Sequence, residues 1–352
     1  MSSVQSTGVR ASGLRVRVLG AGIVGLTCAE ELVRRGHRVS VWDPAPGSGA
    51  SYAAAGMLCP AGETWHGETD LLETGRASAR LWPALAARLG VRLDTAGTLL
   101  VGHDAGDLQE VGRQAGLLEA LGEPVEPVDR RALARTEPCL GRAAGGFRLP
   151  EDLAVDPRSV VRALLARLGD ALCRRGWDLA RDPAPGPDHD AVVVATGARL
   201  PAPFAGLVRG VRGEVLRVRS DDPPRHVVRG LVRGRPVYVV PRADGELVVG
   251  ATVEEHDAAP EVTAGGVHRL LDDARTLLPG LDRATWLEAT ARDRPGTRDN
   301  RPLVGPTHLP GVLLAAGHSR HGVLLAPLTA RLVADHLESG TVHHPWDPRR
   351  NP

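Results

Sequence analysis

The sequence predicts an α/β chain in which a parallel sheet, assembled from both ends, is interrupted by an inserted α+β domain with an antiparallel sheet. Three observations carry that reading. A strand, a glycine turn and a helix follow one another over residues 15–35. Continuously apolar strands recur at 191–194 and 312–316, as buried parallel strands do. Between them, residues 237–240 and 246–249 flank Arg242-Ala243-Asp244-Gly245, an Asp-Gly hairpin signal.

In chain order, residues 15–19 alternate and then turn continuously apolar, which predicts a strand. Gly20-Ala21-Gly22-Ile23-Val24-Gly25 follows directly, and residues 23–35 carry helical periodicity up to Gly36, a C′ glycine. Residues 38–42 form a second strand, closed by Asp43-Pro44. Residues 50–60 are small, Ala-rich and irregular. A helix is expected over 71–89, a short strand over 97–101, and helices over 107–121 and 129–135. Asp156-Pro157 is an N-cap with proline at N1 and predicts a helix running through Cys173. Residues 214–218 read as a strand, 267–278 as a helix, 286–294 as an extended strand and 322–337 as a helix.

Composition narrows the function. Of 352 residues, 43 are basic and 42 acidic, so the net charge is +1 and no polyanionic partner such as nucleic acid is implied. All 43 basic residues are arginine. Without lysine there is no Schiff-base nucleophile, which excludes pyridoxal enzymes and lysine aldolases. There is also no phosphate-loop or kinase lysine. The four cysteines lie far apart, so neither a metal site nor a disulfide framework is expected, and reduced thiols suit a cytoplasmic protein. His343-His344 lacks the spaced partners of a zinc site. Residues 1–13 have no apolar core and read as a disordered lead-in rather than a signal peptide. No apolar run spans a bilayer, and no membrane partner is expected. His-Glu-x-x-His and Gly-x-Ser-x-Gly signatures are absent.

Gly20-x-Gly22-x-x-Gly25 stands where a dinucleotide fingerprint must, between a strand and a helix. Gly20 allows the tight turn, Gly22 lets backbone approach a pyrophosphate, and Gly25 lets helix and strand pack closely. The helix start, with Ile23 and Val24, offers N–H groups and partial positive charge. Asp43, 18 residues past Gly25, can accept from a ribose hydroxyl. The motif leaves NAD and FAD both open. The stretch Ala315 to Gly322 lies between a strand and a helix and supplies a second helix start, suited to negative charge on a reduced flavin or to an ordinary βα loop.

Several further segments complete a pattern. These are Ser51-Tyr52-Ala53-Ala54-Ala55-Gly56-Met57-Leu58, Ala195-Thr196-Gly197, Tyr238-Val239-Val240-Pro241-Arg242 and Val249-Gly250-Ala251-Thr252. They are followed by the run Arg294 to Gly305 and by Gly317-His318-x-Arg320-x-Gly322. Together with the Gly20 motif, this set resembles the D-amino acid oxidase family of FAD enzymes, most closely its thiamine-pathway glycine oxidase branch, over nearly the whole chain after Gly13. The resemblance implies an FAD-binding domain built from 14–88, 150–206 and 292–345, and a substrate domain built from 89–149 and 207–291. Ala50, Ser51, Ala55, Gly56, Met57 and Gly197 would line the flavin and pyrophosphate. The run His318, Ser319, Arg320, His321, Gly322, Val323 and Leu324 would follow the pyrimidine edge. Arg294 would grip the substrate carboxylate with Tyr238 and Arg320 beside it. A guanidinium suits that task as a planar bidentate clamp, worth ~1.5–3 kcal/mol, that fixes Cα over flavin N5.

The implied reaction is oxidation of glycine or a small D- or N-methyl amino acid, with molecular oxygen as acceptor and hydrogen peroxide as product. A homo-oligomer and a thiazole-synthesis partner are expected with it. A dehydrogenase using another acceptor, an NAD-dependent dehydrogenase and a non-catalytic flavoprotein are the competing readings. Three departures from the family pattern bear on the pocket. Arg292-Asp293 replaces an apolar pair, so Asp293 needs a partner. Ser319 replaces an aromatic. The stretch 177–190 is short, which predicts a trimmed meander and a more open adenine side. Lysine-free composition disfavours the sarcosine oxidase branch and leaves Arg294, Arg320, His318 and the helix near Gly322 as the sources of positive charge for oxygen chemistry.

Overall fold

A computed structural model describes residues 13–64, 69–179, 184–341 and 344–350. The expected lead-in, apart from Gly13, and His343 lie outside the described residues. The described residues form a six-stranded and an eight-stranded sheet, with a small three-stranded one beside them.

The six-stranded sheet runs, edge to edge, Leu303–Pro306, Val312–Ala316, Ala191–Val194, Arg15–Leu19, Arg38–Trp42 and Leu172–Cys173. All its neighbours pair in parallel except the first two. Its strands thus come from both ends of the chain, as the continuous apolar runs require. The helices Ile23–Arg34, Pro157–Leu168 and Gly322–Ser339 bury one face in a core containing Val18, Leu26, Leu164, Val193 and Val333. Gly25 fulfils its packing role here: a Cβ on it would stand 2.1 Å from the Gly20 carbonyl oxygen.

The eight-stranded sheet is ordered Thr285–Gly296, Arg209–Arg219, Glu246–Gly250, Arg235–Pro241, Val227–Val232, Thr98–Gly102, Gly145–Leu149 and Glu126–Asp129. It is antiparallel except where Val227–Val232 meets Thr98–Gly102. Side chains alternate faces along a strand. Leu216, Val218, Val237, Val239, Leu247 and Val249 pack with Leu270, Ala274 and Leu277 of the Ala264–Leu277 helix. Val215, Val240 and Val248 face the other way, against Ala53, Ala55, Met57 and Tyr238. That second face looks toward the glycine-rich segments of the parallel sheet.

Several elements differ from expectation. The 71–89 helix is two helices, Thr69–Ala79 and Trp82–Leu89, because Pro83 is tolerated only in a first helical turn. The helix from Pro157 stops at Leu168, where Gly169 has φ 29°, and Leu172–Cys173 then joins the sheet. Residues 50–60 contain a short helix, Ala50–Ala53, and a two-residue strand, Met57–Leu58. Strands at Glu126–Asp129, Gly145–Leu149, Leu153–Val155, Val227–Val232 and Leu303–Pro306 had no distinct signal.

Pro327 sits inside the Gly322–Ser339 helix, near its first turn. The Leu324 carbonyl there accepts from Ser78 Oγ at 2.6 Å and from Trp82 Nε1 at 3.0 Å. Trp82 has no exposed surface, so it both fills the core and anchors the start of this helix. Trp82→Ala is therefore expected to cost about 3–5 kcal/mol of stability, read by denaturant unfolding. A loss below about 1 kcal/mol would contradict the anchoring role.

Candidate active site

A cavity of about 1560 Å³ lies between the two large sheets. At one end are the first two glycines of the nucleotide turn. Gly20 has φ 100°, and a Cβ there would stand 2.3 Å from the Ala195 carbonyl oxygen, so only glycine lets the strands converge. Gly20, Gly22, Ile23, Val24 and Asp43 line the cavity, whereas Gly25 lies behind them. Asp43 Oδ2 accepts from Ala21 N and Oδ1 from Ala45 N, both at 2.7 Å, which orients the carboxylate while each oxygen keeps a second lone pair. Ser51 Oγ accepts from Ile23 N at 2.9 Å and ties the Ala50–Ala53 helix to the turn.

Beside Asp43, Trp42 and Trp177 meet edge-to-face at 5.0 Å, with Arg17 over both rings at 4.2 and 4.4 Å. Both indoles line the cavity, and both indole nitrogens are buried without a hydrogen bond. Trp177 walls this end of the cavity, and residues 180–183 of the stretch expected to be a trimmed meander lie outside the described residues.

Ala50, Ser51, Ala55, Gly56, Met57 and Gly197 line the middle of the cavity. Gly56 has φ 79° and lies against the Val155 carbonyl, so its glycine is required by backbone packing. His318, Ser319, Arg320, His321, Gly322, Val323 and Leu324 line the facing wall. The cavity therefore lies between two helix starts contributed by opposite ends of the chain. A long cleft with glycine turns, two sets of helix N-terminal amides and a carboxylate near one turn fits a flavin dinucleotide.

The eight-stranded sheet supplies the remaining wall. Tyr238 and Arg294 both line it. Tyr238 pairs with Gly250 in register, and its ring folds across that glycine, where an added Cβ would lie 2.3 Å from the hydroxyl. Arg294 folds across Gly213, where an added Cβ would lie 2.3 Å from Nη1. Its Nη1 donates to the Arg212 and Thr252 carbonyls, each at 3.2 Å, which fixes the guanidinium plane. Burial raises the Tyr238 hydroxyl above its ordinary pKa, against the pull of Arg294, so it stays protonated and can donate. Asp293 takes the opposite face and accepts from buried Arg212 Nε at 2.5 Å. Arg212 also donates to the carbonyls of Ala258 and Ala259. The charge that seemed out of place is therefore paired with Arg212, although Asp293 still borders the cavity.

Arg320 and His318 both find partners in the wall. Arg320 Nε donates to Glu63 Oε2 at 3.0 Å and Nη2 to the Glu63 carbonyl at 3.2 Å, so Arg320 is braced within the wall. His318 is buried, its Nε2 lies 2.8 Å from Thr329 Oγ1, and burial together with His321 pushes its pKa down to about 3. His318 is neutral near pH 7 and is removed as a source of positive charge.

Sequence reasoning singled out none of Trp42, Trp177, Glu63, Arg229 and Gly213 for the site, and quoted Gly250 only inside a motif. A glycine inside a strand marks close approach, and that signal could have found Gly213 and Gly250.

These features fit a dinucleotide-dependent oxidoreductase whose cavity is lined by Tyr238 and Arg294. The family model described as FAD dependent oxidoreductase (DAO) matches residues 15–336, and the chain belongs to that family, whose cofactor is FAD. A Rhizobium etli protein named as the thiamine biosynthesis oxidoreductase ThiO is 37% identical, covering 92% of this chain and 96% of its own. The crystal structure of glycine oxidase from Geobacillus kaustophilus superposes with TM-score 0.85 at 30% identity, covering 97% of this chain and all of that one. A bifunctional ThiO/ThiG protein from Nostoc is 31% identical over 90% of this chain, which spans 52% of it. Among the described residues no helix is long and apolar enough to cross a membrane.

Two predictions follow from the wall. Gly213→Ala should displace the Arg294 guanidinium and lower kcat/KM on the order of tenfold or more with FAD content unchanged; unaltered kinetics would show that the glycine floor does not position Arg294. Asp152, beside Glu63, is buried, and burial pushes its carboxyl from 3.8 up to about 7, with Thr98, Cys59 and Arg229 offsetting part of the rise. The native state thus holds a proton that the unfolded chain releases near pH 4. This stabilisation is complete below about 4 and is lost as pH rises through about 7. The unfolding free energy of wild type minus that of Asp152→Asn should fall across that window, and a flat difference would contradict the burial effect.

Proposed function

We propose that this enzyme oxidises glycine, or a small D- or N-methyl amino acid, at its Cα–N bond to the imine, which water converts to a 2-oxo acid and ammonia. The observation that carries this reading is the Tyr238 hydroxyl and Arg294 guanidinium, each laid over a strand glycine on the sheet face that closes the cavity. The likeness to glycine oxidases and to ThiO supports the substrate class.

Gly20, Gly22, Asp43, Ser51, Gly56, Met57 and the run from His318 to Leu324 would hold FAD. When bound, the flavin supplies a two-electron acceptor, with oxygen as the final acceptor and hydrogen peroxide as product. Arg294 presents Nε and Nη2 to the substrate carboxylate while its Nη1 stays on the two carbonyls. Tyr238 donates its hydroxyl proton to the same carboxylate. Together they orient Cα and set the angle at which its hydrogen leaves, and positioning of this kind is a large part of the rate. A neutral amine already carries the lone pair that becomes the C=N bond, so no protein base is required. The start of the Gly322–Ser339 helix provides positive potential opposite the clamp.

The ThiO likeness supports glycine imine as an intermediate for thiazole synthesis, and the ThiO/ThiG fusion supports a thiazole-synthesis partner. Four free cysteines suit a cytoplasmic setting. Exposed Trp286 and Leu287 on the edge strand Thr285–Gly296 support a homo-oligomeric contact.

Anaerobic addition of glycine, sarcosine and both enantiomers of common amino acids to the yellow holoenzyme tests the reading. Bleaching is expected with at least one small amino acid, and peroxide release on admitting air. No bleaching across the panel overturns it. Arg294→Ala should keep FAD bound while kcat/KM falls on the order of a hundredfold. Unchanged kinetics would remove Arg294 from the clamp.

A further inference from the structure

The wall contains a second guanidinium that the clamp does not use. Arg229 stands directly across the Val227–Val232 and Arg235–Pro241 pair from Tyr238, so both side chains leave the same sheet face. It lines the cavity with Met57 and Glu63. Arg229 Nη1 donates to Glu63 Oε1 and lies 3.5 Å from Met57 Sδ. Its Nε and Nη2 make no hydrogen bond to a described residue. Glu63 is shared, since its other oxygen accepts from Arg320. The facing Arg229, His321 and Arg320 overcome the effect of burial and hold the Glu63 carboxyl at about 2, so it remains a single negative charge between two guanidiniums. Asp152, the next acid, makes no ion pair with Arg229 among the described residues, and its Oδ2 is buried without a hydrogen bond. A largely buried cation that shares its counter-ion is costly unless a further anion completes it.

We propose that Arg229 binds a second substrate carboxylate, and that the preferred substrates are small amino acids carrying an additional carboxylate on the nitrogen or the side chain. This rests on the amino acid oxidation proposed above and names its substrate class. Arg294 lies over the Arg209–Arg219 strand, three places from the Val227–Val232 strand in the sheet order. Roughly 14 Å of backbone separates the two strands, and the guanidiniums of Arg294 and Arg229 both act on the Tyr238 hydroxyl, whose strand lies between them. Glycine, sarcosine and D-alanine carry one carboxylate, which Arg294 occupies, and offer nothing to Arg229. A dicarboxylate meets both. N-carboxymethylglycine would lose a hydride from one methylene and the proton from nitrogen. Water would then divide the imine into glyoxylate and glycine, and oxygen would take the electron pair and two protons as hydrogen peroxide.

The test is kcat/KM of the holoenzyme for N-carboxymethylglycine, D-aspartate and D-glutamate against glycine, sarcosine and D-alanine, with malonate and acetate compared as inhibitors. At least one dicarboxylate should exceed glycine on the order of ten- to a hundredfold, and malonate should inhibit better than acetate. The dicarboxylate-to-glycine ratio should collapse in Arg229→Gln and recover in part in Arg229→Lys. Glycine, sarcosine or D-alanine outpacing every dicarboxylate in the wild type, or a ratio unmoved in Arg229→Gln, overturns the proposal while leaving amino acid oxidation standing. No turnover of any amino acid overturns both. Should Arg229→Gln fail to fold, the wild-type panel and the inhibitor pair decide alone.

Discussion

A carbonyl oxygen 2.3 Å from where a side chain on residue 20 would begin is the constraint on which the rest of the site depends. Ala195 and Gly20 sit at the ends of neighbouring parallel strands, and the approach of their backbones brings the first helix start into the cleft. Gly25 repeats the condition one turn on, against the Gly20 carbonyl. With these contacts, strands from residues 15–42, 191–194 and 312–316 can share one sheet, and helices that begin 299 residues apart open onto one cavity. The opposite wall obeys the same rule on a different scale. Gly213 and Gly250 are bare so that two long polar side chains can lie flat across them. The cleft is therefore bounded by absences of Cβ on both sides.

An all-arginine chain imposes a second condition. Guanidiniums stay charged at any physiological pH, so each one drawn inside must be met by carboxylates or carbonyls. Arg212 illustrates this, with Asp293 and two loop carbonyls on one side chain that is 3% exposed. Arg294 instead spends one nitrogen on carbonyls and keeps the rest of its fork for the cavity. The two lie on adjacent strands and opposite faces, and the strand's two-residue period separates the Asp293–Arg212 pair from the proposed clamp residue Arg294.

Much of this was legible in the sequence because it depends on local pattern. The strand–glycine–helix start, the continuous strands and the Asp-Gly hairpin each encode their element within a few residues. Alternation along the hairpin strand buries Val237 and Val239 and sends Tyr238 to the opposite face. What the sequence did not show depends on distant partners. Asp293 looked like a defect until register set it opposite Arg212, 81 residues away. His318 looked like a cation until Thr329 and burial fixed it as neutral. Glu63 and Arg229, 166 residues apart, fall outside the described motifs altogether. Helix breaks were misplaced where one residue, Pro83 or Gly169, outweighed an otherwise continuous apolar period.

The eight-stranded sheet separates the packing that holds the fold from the polar side chains that line the cavity. Its rear face is filled by aliphatic residues against the Ala264–Leu277 helix, and a change there would cost packing. Its front face is built differently, from glycines, Tyr238, Arg294 and Arg229 beside a small aliphatic cluster of Val215, Val240 and Val248. A substitution on that face changes what the cavity reads without unpacking the sheet behind it. The front face can therefore alter substrate preference while Gly20, Gly25 and Ala195 keep the backbone geometry that the nucleotide side requires.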